Sequence, residues 1–109
     1  MTEKEIQGKI MAYLLTCPLV AWAYVTSSGY VRGLKGGRAF KVGVSGMSDI
    51  MGQLKDGRLL AIEVKAPGQK PREDQLEFIK MVNNNNGLAF WVDSLNGVSR
   101  ELEKRLAEL

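Results

Sequence analysis

The sequence predicts one α/β domain that spans residues 1–109. Three segments, at the start, in the second half and at the end of the chain, carry apolar residues at helical spacing. Between them lie short runs rich in β-branched and aromatic residues, which favour strands. A chain of this length can bury a real but modest core in a single domain.

The first helix is predicted over residues 2–15. Thr2 can act as its N-cap, Glu5 completes a capping box, and Pro18 prevents continuation. Glu3 lies on the same side of the helical wheel as the apolar stripe, so it is better placed than Glu5 to face inward. The stripe consists of Ile6, Ile10, Tyr13 and Leu14.

Strands are predicted next, beginning with residues 20–25. Residues 30–41 are glycine-rich and basic, which indicates a loop, and short strand character follows over 40–44. The clearest element is a hairpin of residues 49–54 and 59–64 around an Asp56-Gly57 turn. Its second strand is almost entirely apolar, which is typical of a central strand buried on both faces.

The remaining elements are a helix over 72–82, a strand over 88–92 and a final helix capped by Ser94 or Ser99. The stripe predicted to bury the first of these helices consists of Leu76, Ile79 and Val82. Trp22 and Trp91 fall within predicted strands, so we expect them in the core or in a dimer interface, with base stacking as the less favoured alternative.

Composition excludes several kinds of site. The chain has no histidine and one cysteine, Cys17, so imidazole chemistry, an internal disulfide and a thiolate zinc site are all ruled out. Hard oxygen ligands remain. We expect an intracellular, cytoplasmic protein without a membrane span, because the N-terminus lacks a signal-like pattern and no apolar run is long enough.

Charge is distributed unevenly along the chain. Residues 32–72 hold nine basic and three acidic residues, a net of +6, whereas residues 73–109 hold four basic and seven acidic residues. Two of the three acids in the basic segment are Asp49 and Glu63. A basic surface around a small acidic pocket suits a polyanionic substrate. The alternative is an ordinary solvated charged face.

Asp49 and Glu63 close two apolar runs on either side of the hairpin, which can bring both carboxylates to one sheet edge. Carboxylates suit Mg²⁺ or Mn²⁺, and the backbone carbonyl of Val64 can add a third oxygen ligand. Lys65 falls on the same strand face as Glu63 by the two-residue period, where it can contact a scissile phosphate. These residues therefore predict metal-assisted phosphodiester hydrolysis.

Two helical residues are further candidates for this site. Gln75, one turn into the second predicted helix, can hydrogen-bond into it, although a solvated helix residue is an equal alternative. Glu3, from the first helix, can hold a water molecule or a second ion at the metal site. A Glu-x-Lys triplet alone is common by chance, so the spacing of the whole set carries more weight than any single member.

Residues 46–50, 57–65 and 75–78 resemble the VRR-NUC family of the PD-(D/E)XK nuclease superfamily. The likeness extends to residues 3–7 and 87–90, and so spans nearly the whole chain, as in stand-alone VRR-NUC proteins of phage. It implies a restriction-endonuclease-like αβββαβ core, with a mixed central sheet flanked by helices. Here Ser-Asp stands where the superfamily has Pro-Asp, and the Val-Arg-Arg-like motif has no clear equivalent.

Carried over residue by residue, the resemblance makes Asp49 and Glu63 metal ligands, Lys65 the catalytic lysine, Gln75 the helix glutamine and Glu3 the N-terminal helix glutamate. It implies a Mg²⁺- or Mn²⁺-dependent, structure-selective DNA endonuclease. Similar proteins of this size include Holliday-junction resolvases, which act as homodimers on branched DNA. The alternatives are a monomeric flap or nicking endonuclease, a non-catalytic nucleic-acid-binding module, and a structural subunit of a phage assembly.

Basic residues in loops or at element ends are predicted to contact DNA phosphates without reading sequence. This predicted nucleic-acid-binding set consists of Lys35, Arg38, Lys41, Lys70 and Arg72. We expect the set to act as a group, because each contact by itself contributes only part of a sequence-independent electrostatic attraction.

Overall fold

The structure is a computed structural model that describes residues 1–26, 30–32, 39–41 and 45–107. Its helices are α1 (Glu3–Thr16), α2 (Glu73–Asn84) and α3 (Leu95–Ala107). Its strands are β1 (Val20–Val25), β2 (Tyr30–Arg32), β3 (Ala39–Lys41), β4 (Ile50–Leu54), β5 (Leu59–Val64) and β6 (Leu88–Val92). Within the described ranges, no helix combines the length and apolar character that crossing a membrane requires.

Four strands form the central sheet, in the order β1-β4-β5-β6. β1, β4 and β5 pair antiparallel, whereas β6 pairs parallel to β5. The parallel pair needs a crossover connection, and α2 supplies it. The predicted αβββαβ core with a mixed sheet is therefore confirmed, with β2 and β3 as an insertion and α3 as an addition after the core.

Helices cover both faces of this sheet. On one face, apolar side chains of α1 and α3 pack against alternate residues of β4, β5 and β6, among them Ile50, Ile62 and Val64. On the other face, α2 contributes Phe78 and Val82, which pack against Met51, Ala61 and Ala89. We call this second face the α2 face. All of β5 after Leu59 is buried, as its apolar sequence predicts.

The first helix and the last helix begin as their capping patterns predict. The Glu5 backbone N–H donates to Thr2 Oγ1 at 3.1 Å. At α3 the structure selects Ser94 over Ser99, because the Gly97 backbone N–H donates to Ser94 Oγ at 3.3 Å. Serine and threonine stabilise helix starts in this way because their oxygens accept from otherwise unpaired N–H groups.

Two predictions about local structure were wrong. Residues 30–41 were expected to be a loop, with strand character only from residue 40, yet Tyr30–Arg32 and Ala39–Lys41 pair as a separate antiparallel sheet. The glycines of this segment lie between the two strands, in residues 33–38, which are outside the described residues. The α2 helix buries Gln75 and Phe78, whereas Leu76 is 45% exposed. Phe78 and Val82 pack against the sheet on this side of the helix and Gln75 bonds to Glu63 there, so Val82 of the predicted stripe is buried and Leu76 is not.

Candidate active site

Glu63 lies near the end of the central strand β5 and is only 1% exposed. By strand alternation its side chain shares the α2 face with Ala61. One carboxylate oxygen, Oε1, accepts a hydrogen bond from Gln75 Nε2 at 2.8 Å and lies 3.6 Å from Lys65 Nζ. The other oxygen, Oε2, has no hydrogen-bond partner among the described residues. Such a buried, unsatisfied acceptor is costly unless something else binds it.

Asp49 stands opposite Glu63, one residue before β4 begins. The register pairs Ile50 with Ile62, so Asp49 and Glu63 are the next pair along the two strands. The Asp49 Oδ2 oxygen accepts a hydrogen bond from the Val64 backbone N–H at 2.9 Å. This bond fixes the carboxylate beside the end of β5.

The backbone carbonyl of Val64 is directed to the same side as Asp49. The N–H and C=O of one strand residue point toward the same neighbouring strand, and the Val64 N–H points to Asp49. The next residue, Lys65, instead donates its backbone N–H to Val92 of β6 at 2.9 Å. By this pattern the Val64 carbonyl points to the Asp49 side of β5, and its role as a metal ligand stays a prediction.

The electrostatics of the site favour a cation. Burial, followed by the nearby Asp49 carboxylate, raises the pKa of Glu63 from 4.5 to about 8, while Lys65 opposes the rise. A divalent cation would offset the repulsion between the two carboxylates and occupy the unsatisfied Oε2 of Glu63. Asp49, Glu63 and the Val64 carbonyl would hold it, and all are the hard oxygen ligands that Mg²⁺ and Mn²⁺ accept.

Lys65 lies on the same strand face as Glu63, and its side chain is 13% exposed. Its ammonium group contacts the Glu63 carboxylate, and part of the side chain remains accessible to solvent. A partly buried cation at this point can interact with a phosphate group more strongly than a fully solvated one, because solvent screens it less.

Gln75 connects the start of α2 to the carboxylate pair. Its Oε1 accepts the Arg72 backbone N–H at 2.8 Å, and its Nε2 donates to Glu63. One amide therefore caps the helix and orients the buried acid at the same time. The sequence alone left a solvated Gln75 as an equal alternative, whereas in the structure the residue is buried.

Two supporting residues were missed from the sequence. Thr26 donates its backbone N–H to the Asp49 carbonyl at 2.8 Å, and its hydroxyl donates to the Ser48 carbonyl at 2.9 Å. These bonds anchor the segment before β4 to the end of β1. No local pattern could reveal them, because the pairing of β1 with β4 joins residues more than twenty positions apart.

Gly46 is the second supporting residue, and its replacement by alanine gives a testable prediction. Gly46 has φ of 74°, and an added Cβ would overlap the Asp74 carbonyl and lie 2.8 Å from the Gln75 backbone nitrogen. We expect Gly46→Ala to displace the start of α2, lower stability by about 2 kcal/mol or more, and remove Gln75 from Glu63. Urea unfolding measures the stability.

Gly57→Ala is the matched control for this variant. Gly57 also has a positive φ, of 96°, but an added Cβ would meet nothing within 4 Å. Both variants carry the backbone strain, of about 1 kcal/mol, and only the Gly46 variant carries the clash. Equal losses of stability in the two variants would show that the contact with α2 is unimportant.

The remaining predicted site residues lie apart from this cluster or outside the described residues. Glu3 stands half-buried in the first turn of α1, and in the described ranges no three acidic, cysteine or histidine side chains group around one metal position. Lys70 and Arg72 are exposed before α2, where Arg72 Nε pairs with Asp74 at 3.2 Å. Lys35, Arg38 and the Lys41 side chain lie outside the described residues, so their contacts with DNA stay predictions.

Trp22 and Trp91 are not core residues. Their exposed fractions are 46% and 38%. Trp91 lies on the edge strand β6 in register with Glu63, whereas Trp22 lies on β1 at the opposite edge of the sheet. Of the alternatives for these residues, a core position is therefore wrong for both.

Comparison with protein families gives one match, to the VRR-NUC domain, over residues 3–95. Comparisons with curated proteins and with solved structures each found no significant match. The family match covers most of the chain, including every element from α1 to β6 and the start of α3. The chain therefore belongs to the VRR-NUC family, whose domains are of the nuclease type within the PD-(D/E)XK superfamily.

Proposed function

We propose that this protein is a Mg²⁺- or Mn²⁺-dependent, structure-selective DNA endonuclease that acts as a homodimer on Holliday junctions or other branched DNA. The observation that carries the proposal is the convergence of Asp49, Glu63 and Lys65 at one end of the sheet. Their charges and spacing match what hydrolysis of a phosphodiester needs. Membership of a nuclease-type family supports the same reaction class.

Each residue has a distinct role in this proposal. Asp49, Glu63 and the Val64 carbonyl would hold a divalent cation, which would neutralise phosphate charge and lower the pKa of a water molecule. Lys65 contacts the scissile phosphate and stabilises the negative charge that builds up in the transition state. Gln75 keeps the Glu63 carboxylate in one orientation through its 2.8 Å hydrogen bond.

DNA binding is assigned to the basic segment of residues 32–72, which carries a net charge of +6. Exposed Lys70 and Arg72 lie on the connection between β5 and α2, close in sequence to Lys65. With Lys35, Arg38 and Lys41, they would contact phosphates and fix the position of the DNA. Binding should then weaken steeply as salt concentration rises.

A homodimer would place two such sites about a two-fold axis, so that both could cut opposing strands of a four-way junction. The edge strand β6, with its exposed Trp91, offers a surface for that contact. Such an enzyme would act in the cytoplasm of the cell, or of the host cell if a phage encodes it. Gel filtration separates this arrangement from a monomeric flap or nicking endonuclease.

Cleavage of a synthetic four-way junction by the purified protein tests the proposal, with Mg²⁺, Mn²⁺ or a chelator present. We expect cleavage only with a divalent cation, and a loss of at least about 10²-fold in Asp49→Asn. Asparagine keeps an oxygen that can accept the Val64 N–H, so the fold should survive while one negative charge is lost.

Glu77→Gln is the matched control, since Glu77 is an exposed carboxylate on α2. It should cleave as the unchanged protein does. Junction binding without cleavage under any metal condition would contradict the proposal and favour a non-catalytic nucleic-acid-binding module. Neither binding nor cleavage would favour a structural subunit.

A further inference from the structure

β1 carries two large aromatic side chains that the fold leaves uncovered. Trp22 is 46% exposed and Tyr24 is 51% exposed. Their rings stack, with centroids 5.9 Å apart and planes inclined by 28°. Aromatic side chains usually stabilise a protein by being buried. Two adjacent aromatic rings left exposed therefore indicate a binding surface.

The pair lies on the same sheet face as the carboxylate site. Tyr24 is in register with Met51, whose side chain packs beneath α2, so Tyr24 shares the α2 face. Asp49 is two residues from Met51 and lies on that face as well. It is thus a diagonal cross-strand neighbour of Tyr24, at a distance of about 7–8 Å. Tyr24 is therefore a near neighbour of Asp49, one of the proposed metal ligands.

Hydrogen bonds with β4 orient the Trp22 side chain. Trp22 Nε1 donates to Gln53 Oε1 at 2.9 Å, and Gln53 Nε2 donates to the Gly57 carbonyl at 3.1 Å. These bonds satisfy the polar edge of the indole, while the side chain remains 46% exposed beside the Tyr24 ring. A side chain ordered in advance loses less conformational entropy when a flat ligand binds to it.

In the described part of the chain, α2 packs mainly over β5 and β6, so it leaves the β1 end of this sheet face uncovered. Positive charge lies at the Trp22 end of this surface, because the exposed Lys55 follows two residues after Gln53. Such a charge suits a polyanion. Lys65 lies at the opposite end, beside the carboxylates. A stacking surface bounded by ammonium groups matches a nucleic-acid strand, whose bases stack while its phosphates seek cations.

We infer that Trp22 and Tyr24 stack with unpaired bases of the DNA strand next to the bond that is cut. The inference rests on the proposed function, since it takes the substrate to be DNA, and it narrows that substrate to structures with unpaired bases beside the cleavage site. Forked and flapped DNA supplies such bases at its branch point, and a four-way junction does so when base pairs open beside the crossover. The aromatic pair then selects the structure of the substrate rather than its sequence, because every base has a π-face.

Binding measurements without divalent metal test the inference independently of cleavage. Fluorescence anisotropy compares a labelled oligo(dT), a forked duplex with unpaired arms and a blunt duplex. We expect Trp22→Ala and Tyr24→Ala each to weaken binding of the first two by about tenfold and to leave the blunt duplex unchanged. Trp22→Phe should retain most of the affinity because it keeps a ring.

Leu15→Ala is the control, since Leu15 is exposed on α1, on the opposite side of the sheet. Equal effects on forked and blunt DNA, or no effect on either, would overturn the inference. So would conversion of a dimer to a monomer by Trp22→Ala with DNA affinity intact, which would mark the surface as an interface between two copies. Ring-dependent binding in a protein that cuts no DNA would refute the proposed nuclease and support the stacking surface.

Discussion

Replacing Lys65 with alanine should lower metal-dependent cleavage of junction DNA by at least about 10²-fold, while the protein still folds and binds the junction. The physical reason is the position of the ammonium, 3.6 Å from Glu63 Oε1 and partly exposed at the site. It supplies positive charge where negative charge accumulates on the phosphate. Single-turnover cleavage and a gel-shift titration measure the two effects separately.

Lys80→Ala is the matched control for this experiment, because Lys80 is an exposed lysine on α2. It removes the same charge from the protein without touching the carboxylate pair, and should leave the cleavage rate unchanged. Lys65→Arg should recover part of the rate, since it keeps a cation at the site. Full activity in Lys65→Ala would remove this residue from the mechanism.

Replacing Glu63 with glutamine should abolish metal-dependent cleavage and yet stabilise the metal-free protein at alkaline pH. The folded state raises the pKa of Glu63 from 4.5 to about 8, mainly because the carboxyl is buried. Between these values the unfolded chain releases the proton while the folded protein keeps it. The free energy of unfolding therefore decreases as pH rises through this window, by an amount on the order of a few kcal/mol.

Glutamine has no proton to lose, and its carbonyl oxygen can still accept from Gln75, so the variant should lack this decrease. Urea unfolding with a chelator, from pH 4.5 to pH 9, checks the prediction. The difference in stability between Glu63→Gln and the unchanged protein should be small near pH 4.5, grow toward pH 8 and then level off. Glu77→Gln should show no such trend, and parallel curves for Glu63→Gln would contradict the prediction.

The element order of the fold was accessible from the sequence because local signals define it. β-branched runs and Asp56-Gly57 placed β1, the β4–β5 hairpin and β6 within one residue of their observed bounds. Thr2 and Pro18 did the same for α1. The rotation of α2 was not accessible, because Leu76 and Phe78 are both apolar. Packing of Phe78 and Val82 against the sheet, together with the contact of Gln75 with Glu63, distinguishes the buried side of the helix.

Part of the candidate site was likewise predictable from the sequence and part was not. Asp49, Glu63 and Lys65 stood out because carboxylates and a lysine end two apolar runs. Their support from Thr26 and Gly46 did not stand out, because it depends on the packing of β1 and α2 against the segment before β4. The sequence also left the environment of Trp22 open between the core, a dimer interface and a stacking surface, because a strand rich in apolar residues does not show which of its faces is covered.

The sequence by itself determined the family, the order of helices and strands, and the residue types able to hold a divalent cation. Only the tertiary structure decided how deeply those residues are buried, which hydrogen bonds they make and how the pKa of Glu63 shifts. The buried position of Glu63, its bond to Gln75 and its raised pKa arise when the strand is covered by α2 and solvent is excluded. Desolvation and long-range pairing are properties of the packed chain, so neither can be inferred from the spacing of residues along it.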